Sequence, residues 1–241
     1  MFIGVPYNSQ TVKFNNADNV ISPQFVWGTV TVHHKTWWHV LIDSNSSLNK
    51  MYLDACFHYI RQLAKFGESV KMKATITDCI FDITIKSSYS KFIQDSSIVN
   101  EKDKLIKTIN GQLDITNHVL YIYNSINKSY KNNKVRERVL PLVKTLTQLL
   151  KFVRLWTETG DGIGDKSGDL HVNIVNGLPQ QQNGHDCGVF VIKYAQYLLH
   201  NDLGKMSMSF DVGNARLEIA ALLFKSKQLR QIEKENSKSD E

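Results

Sequence analysis

Residues 25–32, FVWGTVTV, are a mostly apolar run rich in β-branched and aromatic residues and read as strand. WWHVLI, 37–42, is aromatic and β-branched and reads as another strand. The polar run DSNSSLNK then reads as a turn and MYLD as a third strand, so 37–54 is predicted to be a β-hairpin. After Asp54 the spacing becomes helical: Phe57, Ile60, Leu63 and Ala64 share one face, and Gly67 is placed to end the helix. ATITDCIFDITI, 74–85, alternates and predicts one or two further strands.

From Ser87 to about Lys134 the chain is rich in Ser, Asn and Lys, with apolar clusters too short for a core of their own. We read 87–154 as an inserted helical and irregular elaboration on the surface of the main fold. Within 139–156, Leu142, Leu146, Leu149, Leu150 and Val153 form a stripe that predicts an amphipathic helix. TGDGIGDKSGD follows as a glycine-rich loop. Its acids at 161, 165 and 169 miss the alternating positions of a calcium loop and no glutamate closes it, so no metal site is expected. VFVIKYAQYLLHND predicts an apolar helix, and KQLRQIEKENSKSDE a charged, fraying tail.

At 241 residues with 42% hydrophobic content the chain can bury a full core, which fits a single domain over 1–241. No apolar run approaches the roughly 20 residues of a membrane span, and MFIGVPYNSQ lacks the regions of a signal peptide. Three cysteines without a C-x-x-C argue against a disulfide framework or structural zinc and for reduced thiols in cytoplasm or nucleus. The net charge of +6 favours acidic partners in general. The lysines and arginines between 128 and 154 interleave with apolar residues at helical spacing, as on a solvated helix face, so neither nucleic acid nor membrane is expected as an obligate partner.

These exclusions focus the chemistry on LPQQQNGHDCGVF, 178–190. Cys187 could be core filler, a metal ligand, half of a disulfide or a nucleophile. At the start of a predicted helix the dipole favours its thiolate, and the backbone N–H groups there, with the Gln181 amide, can hold a developing oxyanion. Gly188 would let a substrate carbonyl approach closely.

Pro179, Gln180, Gln181, Asn183, Gly184, Asp186, Cys187, Gly188, Val189 and Phe190 stand in the order of the signature segment of the ubiquitin-like protein proteases, the SUMO protease family of clan CE cysteine proteases. The block 25–56 resembles the family's strand, histidine, hairpin and aspartate region, of the form H-W-x-L-x-x-I-D, a turn, then Y-x-D-S. DVGNARLEIAALL resembles its final helix with an arginine. The resemblance implies an α+β, papain-like fold with a central mixed sheet flanked by helices. It implies Cys187 as nucleophile, Gln181 in the oxyanion hole and Asp54 orienting a catalytic histidine. Strict register puts Thr36 where that histidine is expected, so the role falls to His39, with His34 as the alternative, or to no histidine. Trp37 or Trp38 would wall a tunnel that admits only glycine.

The expected activity is hydrolysis of the peptide or isopeptide bond after the C-terminal Gly-Gly of ubiquitin, SUMO or a related modifier, by a monomer needing no metal or organic cofactor. A cytoplasmic or nuclear protein, or an effector delivered into a host cell, fits this reading. The alternatives are a clan CE acetyltransferase with the same Cys/His/acid set and an inactive relative that binds a modifier.

Overall fold

The structure, a computed structural model, describes residues 16–67, 70–71, 87, 89, 119–129, 131–152, 156 and 168–239, with 227–239 as backbone. The strands expected over 74–85 lie outside them. A short helix α1 (Asn16–Asn19) leads into an antiparallel hairpin of β1 (Val20–Trp27) and β2 (Val30–His34). Gly28, at φ +59°, makes the turn in the left-handed region that a side chain resists. Phe25 pairs with Val32 and Trp27 with Val30, and all four point into the core, so the stretch read as strand is a hairpin with one buried face.

The next segment corrects the sequence reading. WWHVLI is not a strand but most of a helix, α2 (Lys35–Ile42). Adjacent residues in a strand face opposite sides, yet Trp37, Trp38 and Leu41 are all buried, which the helical period allows. Asn19 Oδ1 accepts the Thr36 N–H at 3.0 Å and satisfies one donor of the first turn. Burial thus overrides the strand propensity of the aromatic and β-branched side chains.

MYLD is likewise helical, the opening of α3 (Lys50–Phe66). Asn49 caps it by accepting the Met51 N–H at 2.9 Å, and Tyr52, Ala55, Cys56 and Ile60 form its buried stripe. The helix ends where Gly67 donates to Leu63 O, as expected.

Within 87–154 the described residues hold a strand and the amphipathic helix that the apolar stripe predicts. β3 (Val119–Tyr123) pairs in parallel with β4 (His171–Val175), and α4 (Asn132–Phe152) connects toward the second strand. Val143, Leu146, Leu149 and Leu150 of α4 pack with Leu170 into a second core. Asp169 of the glycine-rich loop is buried and ion-paired to Lys144.

α5 (Cys187–Leu199) and α6 (Val212–Ser239) complete the main core through Val189, Ile192 and Leu199 and through Ala215, Ile219 and Leu223. The charged tail continues α6 as helix up to Ser239. An aromatic cluster unites hairpin and helices: Trp37 stacks on Tyr52 at 4.6 Å, and Trp38 meets Phe25 edge-on at 5.0 Å.

Candidate active site

The signature segment runs from β4 to the first residue of α5, and its polar side chains fasten it to three other parts of the chain. Gln180 Nε2 donates to Asn124 O at 2.9 Å, and its Oε1 accepts the Asn127 N–H at 2.9 Å. Gln181 is nearly fully buried. Its N–H donates to Ser125 O at 2.9 Å, its Oε1 accepts from Ser125 Oγ at 3.0 Å, and its Nε2 donates to Asn183 O at 2.6 Å. The loop leaving β3 is therefore the seat on which both glutamines rest.

The turn before the cysteine is built by Asn183. Its Oδ1 accepts the N–H groups of His185 and Asp186, and its Nδ2 donates to Asp186 Oδ2 at 2.6 Å. Asp186 O then accepts from Val189 and Phe190, which starts α5 with Cys187 as its exposed first residue. The Cys187 and Gly188 N–H groups precede that first helical bond and belong to the donor-rich end of the helix.

The second carboxylate oxygen of Asp186 receives Arg216 Nη2 of α6 at 2.9 Å, and Arg216 is wholly buried. The same guanidinium donates through Nη1 to Leu41 O at 3.1 Å and through Nη2 to Ser46 O at 2.6 Å. It thus ties the residue before the nucleophile to the end of α2 and to the loop that enters α3. His185 Nε2 lies 2.9 Å from Ser44 O and, since a carbonyl only accepts, carries the proton. Arginine in DVGNARLEIAALL carried a visible sequence signal, but its partners did not.

The expected substrate-contacting residues are placed differently. Gly188 is buried under Leu48, and a Cβ on it would fall 2.8 Å from Leu48 Cβ, so close packing of α5 on the start of α3 requires the glycine. Trp37 and Trp38 belong to the aromatic core. His39 and Asp54 sit on α2 and α3, and the hairpin meant to bring them together is absent. Burial lowers the His39 pKa.

The polar strand end that does meet the signature segment is Asn124–Ser125, just after β3. In the sequence it is marked only by the apolar run VLYIY followed by Asn-Ser. Of the other thiols, Cys56 is buried and its pKa is pushed up to about 12 by burial, so it is held as an unreactive thiol. Cys79 lies outside the described residues. Among the described residues no cluster of His, Cys, Asp and Glu could hold a metal ion, and no helix is long and apolar enough to cross a membrane.

The sequence pattern of the Ulp1 protease family, C-terminal catalytic domain, matches residues 96–228, which include β3, the signature segment, Cys187 and Arg216. No curated protein sequence matches the chain. Among solved structures the fold is similar to that of the SUMO protease Ulp1 with its catalytic cysteine oxidised to a sulfinic acid. That likeness covers 90% of this chain and 99% of the other, with a TM-score of 0.50 and 15% identity. The α+β, papain-like architecture with an exposed cysteine heading a core helix, and a family match over more than half its length, make this chain a cysteine peptidase of the Ulp1 protease family.

Proposed function

We propose that the protein hydrolyses the peptide or isopeptide bond that follows the C-terminal Gly-Gly of a SUMO-like or ubiquitin-like modifier. The observation that carries this reading is the exposure of Cys187 at the start of α5, six residues after a buried Gln181 whose side-chain amide is held by two hydrogen bonds and whose backbone N–H is held by a third. Cys187 Sγ attacks the terminal glycine carbonyl and forms a thioester as the amine leaves with a proton, and water then releases the modifier. The oxyanion formed at each step is met by N–H groups at the helix start and by the Gln181 amide. The base is assigned on sequence to His39 of α2.

A panel of SUMO and ubiquitin-like modifiers carrying C-terminal electrophiles tests the reading. At least one probe should label the protein, and Cys187→Ala should abolish that labelling. Labelling that survives Cys187→Ala, or probes inert across the panel while a small thiol reagent still modifies Cys187, would overturn it. His39→Ala should remove most turnover; wild-type turnover in that variant would take the base role from His39.

A further inference from the structure

The two ends of a glutamine amide are nearly the same size, yet only its nitrogen can stabilise an oxyanion. A site that uses Gln181 this way must hold the amide one way round. We infer that Ser125 is the residue that does so, a positioning residue for the proposed oxyanion donor; this rests on the reading of Gln181 given above.

Three contacts define the orientation. Asn183 O, 2.6 Å from Nε2, can only accept, so a flipped amide would set two carbonyl oxygens against each other there. Ser125 Oγ, buried and 3.0 Å from Oε1, donates to the other end and satisfies the oxygen. Ser125 O also takes the Gln181 N–H at 2.9 Å, so one residue grips both backbone and side chain. Nε2 has two protons, and Asn183 O uses one, which leaves the second for an incoming oxyanion. The grip is set by the fold: Ser125 leaves the C-terminal end of β3, and β4, its parallel partner, leads into the segment that carries Gln181.

Without the hydroxyl, Oε1 loses its one side-chain donor among the described residues, while the backbone bond that holds the segment remains. The loss should therefore fall on orientation and leave the fold intact. Ser125→Ala is expected to lower kcat by about 10- to 100-fold, the scale of a small misplacement of a catalytic group, with KM nearly unchanged. Ser125→Thr, which keeps the hydroxyl, should recover much of it. On a Gln181→Ala background, Ser125→Ala should cost little more, because the group it positions is already gone.

The activity is read on a fluorogenic C-terminal substrate of the modifier whose probe labels Cys187. In parallel, the Gln181 side-chain NH2 correlation in ¹⁵N NMR of the resting protein reads the amide directly. Ser125→Ala should shift and broaden that correlation and leave distant backbone signals in place. A kcat loss in Gln181→Ala with wild-type kcat in Ser125→Ala would overturn the role of Ser125 alone. Wild-type kcat in Gln181→Ala would overturn the oxyanion reading on which it rests. Additive losses in the double variant, or an unmoved Gln181 correlation, would also overturn the inference.

Discussion

Replacing Arg216 by methionine tests how the nucleophile is held. The side chain is 0% exposed and Asp186 is 4% exposed, so the pair at 2.9 Å is shielded from water. Methionine fills most of the space but removes the donors to Leu41 O, Ser46 O and Asp186 Oδ1. The carboxylate then keeps the Asn183 amide but no counter-charge. Stranding one partner of a buried pair costs about 3–5 kcal/mol. At about 2–4 °C per kcal/mol for a chain of this size, the melting temperature should fall by about 6–20 °C.

The exposed pair Lys193–Glu218 has the same 2.9 Å separation, with Glu218 61% exposed, and serves as the control. Glu218→Gln should cost less than about 1 kcal/mol. Urea unfolding of both variants measures the contrast. Adding Asp186→Asn to Arg216→Met should restore part of the loss, because the unpaired charge is then gone. Equal costs for Arg216→Met and Glu218→Gln, or a further drop in the double variant, would refute the reasoning.

Three other outcomes are expected. In a Cys79→Ala background a maleimide should label one thiol of the native protein, Cys187, and reach Cys56 only after denaturation; native labelling of Cys56 would contradict its burial. Gly188→Ala should destabilise by about 1–3 kcal/mol through overpacking against Leu48, and an unchanged melting temperature would remove that packing argument. His39 should titrate below its ordinary 6.5 in NMR; its contribution to stability is then complete above that pH and is lost as the pH falls through the lowered folded value, whereas a raised pKa would indicate a carboxylate partner.

The parts legible in the sequence are those where local pattern and tertiary burial agree. The β-branched and aromatic residues of 25–32 do form strand, and the signature segment announces both its turn and the helix that Cys187 begins. The parts misread are those where the two conflict. Trp37 and Trp38 have strand-like side chains, but both must be buried, and only a helix permits that. Asp54 was placed in a strand because MYLD follows polar residues, although Asn49 in that polar run is a helix cap. Ser125 and Arg216 owe their roles to partners 56 and 30 positions away, which no local pattern reports.

Those separations bear on when the site comes into being. Its frame draws on residues 41–48, 124–127 and 181–188 and on Arg216, and each junction closes a long stretch of chain at an entropic cost that local helices do not incur. Helical structure can therefore form well before the nucleophile is seated. During synthesis from the N-terminus, Cys187 emerges ahead of Arg216, so Asp186 has no guanidinium to receive until α6 is made. The ion pair that ties the residue before the nucleophile to the end of α2 is thus among the last contacts that the growing chain can make.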